Sequence, residues 1–151
     1  MSAPHVFGYG SLVNDATHSY SRLVPARLEG WRRVWRHTEL RAVAYLSIRP
    51  DPTTTLTGVI APVPDADWPA LDLRESGYAR LSATQATHHD LPGRPDIAVY
   101  AVPDSDGAAQ DLRHPILLSY LDVVVQGYLR VFGPAGAAGF FASTDGWDAP
   151  I

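Results

Sequence analysis

The 151 residues predict an α+β fold: several antiparallel strands curled toward a barrel, with one short and one long helix. Three observations carry this. Alternating apolar stretches recur between Val6 and Val102, twelve glycines and thirteen prolines punctuate them, and the spacing turns helical in Asp65–Glu75 and again after His114.

Val6 to Gly8 is a short buried strand that breaks into the glycine-rich turn Gly8-Tyr9-Gly10-Ser11-Leu12. Asn14 to Arg22 is polar and holds cap and turn formers, so it should wrap over the surface. Leu23 to Thr38 alternates loosely around Gly30, which suggests strands interrupted by a bulge or bend. Arg41–Arg49 places Ala44, Leu46 and Ile48 on one face and ends at Pro50-Asp51-Pro52; with Leu56–Val63 it reads as a hairpin. In the short helix, Asp65 or Asp67 caps, Pro69 fits the first turn, Trp68, Leu71 and Leu73 supply apolar positions, and Gly77 stops the element near Glu75.

Tyr78–Thr87 and Asp96–Val102 are further strands joined through Pro92-Gly93, followed by a polar loop over Pro103–Arg113. His114-Pro115 opens the longest helix, Ile116–Phe132, closed by Gly133-Pro134; its apolar positions cover most of the circumference, so it should be largely buried. A small-residue helix over Ala135–Ala142 follows. Neither a repeat nor a linker divides residues 1–151, so a single domain is expected.

Composition narrows the function. The formal charge of −4, with Arg32-Arg33 and Arg36 as the densest basic group, argues against a nucleic-acid binder. The absence of cysteine removes disulfides, thiolate metal sites and a cysteine nucleophile. Without a secretory signal or an eighteen-residue apolar run, no membrane partner is expected and the location should be cytoplasmic. None of the six histidines pairs at the spacing of a helical metal site.

Two features could carry chemistry. The Gly8-Tyr9-Gly10-Ser11 turn can present bare backbone N–H groups to an anion, as a carboxylate or phosphate cradle, or it is a tight turn after an edge strand. Glu75 sits at a helix C-terminus, where unpaired carbonyls disfavour a further negative charge; that and burial should raise its pKa, against the pull of Arg74. A carboxylate so tuned suits general-base work, and the alternative is a solvated pair with Arg74. Tyr9, Tyr78 and Tyr120 stand beside these features.

Phe7-Gly8-Tyr9-Gly10-Ser11-Leu12, Leu71-Asp72-Leu73-Arg74-Glu75-Ser76-Gly77-Tyr78, and Ser119-Tyr120-Leu121-Asp122 with Gln126-Gly127-Tyr128 together resemble the γ-glutamylcyclotransferase superfamily, in its bacterial and ChaC-like flavour. The resemblance spans nearly the whole chain. It implies a small, distorted, mostly antiparallel β-barrel with flanking helices. The implied reaction is cyclisation of a γ-glutamyl amide to 5-oxoproline with release of the amine, without metal or organic cofactor. It implies Glu75 as the catalytic glutamate, the turn Gly8, Tyr9, Gly10, Ser11 and Leu12 as the glutamyl α-carboxylate site, and Tyr78 and Tyr120 on the substrate side. A non-catalytic small-molecule-binding module of the same fold is the alternative, and the leaving amine is open. Relatives of this type often carry a tail over the site beyond the point matching Gly146–Ile151, so the pocket is expected to be more open, or closed by a second subunit in a homodimer.

Overall fold

The computed structural model describes residues 3–38, 41–103 and 114–151; of the polar loop expected at Pro103–Arg113, all but Pro103 lies outside them. Among the described residues the strands are β1 (His5–Gly8), β2 (Val24–Arg36), β3 (Tyr45–Pro62), β4 (Ala79–Ser82), β5 (Thr87–His88), β6 (Ile97–Ala101) and β7 (Thr144–Asp145). They form one sheet in the order β4-β6-β1-β3-β2-β5, with β7 added to β2. β1–β6 and β2–β7 are parallel and the remaining pairings antiparallel. With α1 (Trp68–Arg74) and α2 (Leu118–Ala142) this makes a mixed, curled half-barrel carrying two helices.

β1 lies between β6 and β3, in the middle of the sheet, so the edge-strand reading of the glycine turn does not hold. Its uninterrupted apolar run follows from burial on both faces. Val6 joins a cluster with Val63, Leu71 and Tyr100, whereas Phe7 joins the main core with Leu28, Val59, Val124 and Tyr128. The turn that ends β1 therefore issues from a strand paired on both sides and buried along its length.

The hairpin expected between Arg41–Arg49 and Leu56–Val63 does not form. β3 runs through both stretches and pairs with β2 along its length, Arg36 opposite Tyr45 and Val24 opposite Ile60. Pro50-Asp51-Pro52 begins a bulge instead: Trp31 faces Pro50 and Glu29 faces Thr55, leaving Gly30, at φ 85°, opposite Asp51–Thr54. The Asp51 carboxylate ties the bulge together by accepting from the Thr53 N–H at 3.0 Å, the Thr53 hydroxyl at 2.8 Å and the Thr54 hydroxyl at 2.9 Å.

The bulge also reverses side-chain parity along β2. Ala26 and Leu28 face the core before Gly30; Arg33 and Trp35 face it afterwards. One strand thus delivers a charged residue into the barrel interior.

α1 begins as expected, with the Asp67 carboxylate accepting from the Ala70 N–H at 3.1 Å, and buries Leu71. Leu73, expected to be an apolar contact, is 80% exposed instead, because it lies off the short stripe that Trp68 and Leu71 form. α2 changes direction at Gly133 (φ 75°, ψ −171°), where the sequence places the end of one helix before a second. It buries only the stripe of Leu121, Val124, Gly127, Tyr128 and Phe140, while Leu118, Leu129 and Val131 face outward. The half-barrel covers one side of the helix, so the expectation that it is largely buried fails. No described helix is long and apolar enough to cross a membrane.

Candidate active site

A cavity of about 250 Å³ opens beside the end of β1. Gly8, Tyr9, Gly10, Ser11, Leu12, Glu75, Tyr78 and Tyr120 all line it, so every residue singled out from the sequence as a site residue comes to one place. His18, Tyr20, Arg74 and Tyr100 complete much of the wall and were not singled out.

The turn is a short 3-10 element, Ser11–Val13, entered through Gly10. The Val13 N–H donates to the Gly10 carbonyl at 3.1 Å and the Asn14 N–H to the Ser11 carbonyl at 3.0 Å, while the N–H groups of Gly10 and Leu12 have no backbone acceptor among the described residues. A Cβ on Gly10 would stand 2.8 Å from the Tyr120 hydroxyl, so glycine is what lets Tyr120 approach. That hydroxyl meets both the backbone and the side chain of Ser11.

Two buried groups hold the turn from behind. Arg33 is fully buried, and its Nε donates to the Tyr9 carbonyl at 2.7 Å. Its other nitrogens donate to the Thr57 carbonyl at 2.7 Å, to the Ser143 hydroxyl at 2.7 Å and to the Tyr128 hydroxyl. The guanidinium carbon lies 4.8 Å from the centre of the Tyr128 ring and 5.0 Å from that of Phe140. The Tyr128 hydroxyl is itself 3.1 Å from the Tyr9 carbonyl. In a trans peptide the next N–H points opposite to the carbonyl, so fixing Tyr9 C=O toward Arg33 fixes the Gly10 N–H away from it. Arg33 has no carboxylate partner among the described residues, and its uncompensated positive charge behind the turn favours an anion in front.

A third support is steric. A Cβ on Gly127 would fall 2.7 Å from the Asn14 nitrogen and 2.9 Å from its Cα, so glycine allows α2 to lie against the backbone after the turn. The buried Asn14 amide then donates to the Val123 carbonyl at 2.9 Å and its oxygen accepts from Ala16 N–H at 3.0 Å. His18 locks the next segment, its Nε2 within 2.8 Å of the Leu12 carbonyl and its Nδ1 accepting from the Tyr20 N–H at 3.2 Å.

Glu75 caps the C-terminus of α1, its N–H donating to Leu71 O at 2.9 Å and its carbonyl accepting from Tyr78 N–H at 3.0 Å. Gly77, at φ 93°, turns the chain so that Tyr78 re-enters the site. Burial raises the Glu75 carboxyl above its ordinary range, and the Arg74 guanidinium offsets part of that shift. The carboxylate in turn helps raise the pKa of Tyr9, Tyr20, Tyr78, Tyr100 and Tyr120, whose largest cause is burial. These phenols stay protonated at neutral pH and act as donors. Tyr9 spends its proton on the Tyr100 carbonyl at 2.6 Å and Tyr78 on the Leu46 carbonyl at 2.9 Å. Tyr100 donates to Asp72 at 2.6 Å.

Among the described residues no three His, Asp or Glu side chains converge as a metal set. The arrangement can bind an anion through backbone N–H groups and move a proton at a half-buried carboxylate a short way off.

By sequence, no family model and no curated protein matches the chain. By structure, YkqA from Bacillus subtilis aligns with a TM-score of 0.71 at 16% identity, over 94% of this chain and 54% of that one. This chain therefore spans about half the length of that structure. A structure titled gamma-glutamyl cyclotransferase aligns with a TM-score of 0.69 at 13% identity, over 94% and 88% of the two chains. The yeast gamma-glutamyl cyclotransferase specific to glutathione aligns at 0.52 and 18% identity, over 94% and 88%. The half-barrel with its two helices is the γ-glutamylcyclotransferase-like fold.

Proposed function

We propose that residues 1–151 act as one cyclotransferase domain that cleaves a γ-glutamyl amide by attack of its own α-amine, yielding 5-oxoproline and a free amine. The observation that carries this reading is that Glu75, with its raised pKa, and the Gly8–Leu12 turn, whose Gly10 and Leu12 N–H groups have no backbone acceptor among the described residues, line one cavity. The fold of the similar structures supports it.

In this mechanism the Tyr9-Gly10-Ser11 backbone holds the α-carboxylate of the glutamyl group. Glu75 takes a proton from the α-ammonium, and the freed lone pair attacks the γ-carbonyl carbon to close a five-membered ring. Backbone N–H groups of the turn and the Tyr120 hydroxyl receive the developing oxyanion. Collapse breaks the bond to the departing nitrogen, which takes the proton back from Glu75. The second proton shed by the ring nitrogen leaves with the released amine as its ammonium, so the carboxylate is regenerated and the protons balance. Holding both ends of the glutamyl chain for an intramolecular attack contributes about 7–11 kcal/mol to the rate. The substrate is a small molecule, and a cytoplasmic location accords with a γ-glutamyl substrate.

The test is release of 5-oxoproline from a panel of γ-glutamyl amino acids, glutathione and γ-glutamylamines by the purified chain. Turnover of at least one supports the assignment. Binding without turnover of any would leave the fold as a small-molecule-binding module.

A further inference from the structure

A second cavity, of about 560 Å³, adjoins the first. It shares Ser11, Leu46, Arg74, Glu75, Tyr78 and Tyr120 with the first, so the two meet at the carboxylate that moves the proton. Arg41, Val43, Ala44, Tyr45, Ser76 and Leu117 line only the second. The first cavity, at about 250 Å³, is smaller than the roughly 300–1,000 Å³ typical of pockets that enclose a whole ligand. A γ-glutamyl amide anchored at the turn thus has the adjoining, larger space available to its amine half.

Building on the cyclotransferase reading, we propose that this second cavity receives the departing amine, and that Arg41 selects an amine that carries a carboxylate. The charge of the walls points this way. Glu75 is the sole acid among the described lining residues, against two guanidiniums. Arg74 is directed elsewhere, lying 6.0 Å over the Tyr20 ring and offsetting the Glu75 charge. Arg41 is exposed, belongs to the second cavity alone and forms no ion pair among the described residues. Its planar fork matches a carboxylate in two parallel hydrogen bonds. Val43, Ala44 and Leu117 beside it offer apolar surface for a short aliphatic side chain. An amino acid or short peptide fits this wall, whereas a diamine would bring a second cation against Arg41 and be rejected.

Three substrates with the same glutamyl half test this: γ-glutamyl-alanine, its neutral alaninamide, and the 2-aminoethyl amide, followed by 5-oxoproline release. The wild type should favour the acid over the neutral amide in kcat/KM by about 2- to 5-fold, the range of one solvent-exposed charge pair. Arg41→Gln should bring that ratio toward one, and Arg41→Glu should reverse the order to favour the aminoethyl substrate; thermal melting checks that both variants fold. Equal use of acid and neutral amide by the wild type, or a ratio that survives Arg41→Gln, overturns the role of Arg41 and leaves the cyclotransferase reading standing. Failure on all three while another γ-glutamyl substrate of the panel, such as glutathione, is turned over overturns the subsite alone; failure on the whole panel overturns the cyclotransferase reading, and the subsite with it.

Discussion

Glu75→Gln separates chemistry from architecture because the side chain contributes nothing else that the fold needs. The backbone of residue 75 carries the structural duties, donating to Leu71 and accepting from Tyr78, and the substitution leaves both in place. Among the described residues the carboxylate forms no ion pair, so no partner is orphaned. Removing a positioned general base lowers rates by about 10²–10⁴, equivalent to about 2.7–5.4 kcal/mol of transition-state stabilisation. The loss should fall on kcat, with KM for the γ-glutamyl substrate nearly unchanged, since the carboxylate cradle is untouched.

Stability should move in the opposite direction to activity. Burial raises the Glu75 pKa in the folded state, so the unfolded chain loses this proton first as pH rises. The ionised carboxylate therefore opposes folding above its unfolded pKa, and the neutral glutamine removes that opposition at pH 7. Calorimetry should find the variant's Tm equal to or above that of the wild type. A variant that turns over as fast as the parent refutes the base assignment. A variant that loses activity together with several degrees of Tm refutes the claim that the residue is architecturally idle.

The wild-type kcat/KM should rise with pH through the raised Glu75 pKa, so its acid limb lies above that of an ordinary carboxylate; Glu75→Gln should abolish this limb. Gly10→Val should raise KM and also lower Tm, because its Cβ meets the Tyr120 hydroxyl at 2.8 Å and Leu46 Cδ2 at 3.0 Å; measured at a temperature where the variant is folded, an unchanged dissociation constant for a γ-glutamyl ligand would count against the cradle. Gly127→Ala overpacks the contact with the Asn14 backbone and should destabilise by about 1–3 kcal/mol, a fall of roughly 2–12 °C in a calorimetric scan.

The elements that sequence reasoning located are those whose reasons are local. Glycine punctuation marked the end of β1, the stop of α1 at Gly77 and the break at Gly133, because each needs backbone freedom that a neighbouring residue advertises. Glu75 was legible for the same reason, as an acid at a helix end. The failures are tertiary. Pro50-Asp51-Pro52 has the composition of a hairpin turn, yet continuous pairing with β2 makes it a bulge. Leu73 has the right chemistry for a core position but lies off the buried stripe. Arg33 was missed as a site support because arginine in a strand reads as solvent-facing. The one available signal was the parity change across Gly30, which puts Arg33 in step with the core residue Trp35.

Arg33 allows one more prediction, and it concerns the anion cradle proposed for the turn. Lysine at this position keeps the charge but not the fork, so it cannot reach the Tyr9 carbonyl, the Thr57 carbonyl and the Ser143 hydroxyl together, as Arg33 does at 2.7 Å each. Losing even one charge-assisted hydrogen bond in this buried setting destabilises by about 1.5–3 kcal/mol. If Arg33 only held the barrel together, Arg33→Lys would lower Tm and leave ligand affinity unchanged at a temperature where the variant is folded. If it also orients the Tyr9–Gly10 peptide, the folded variant binds a γ-glutamyl ligand more weakly, and an added Gly10→Val change then has a smaller effect than in the wild type. That non-additivity, measured by titration calorimetry on the four proteins of the double-mutant cycle, distinguishes a residue that positions the cradle from one that merely packs behind it.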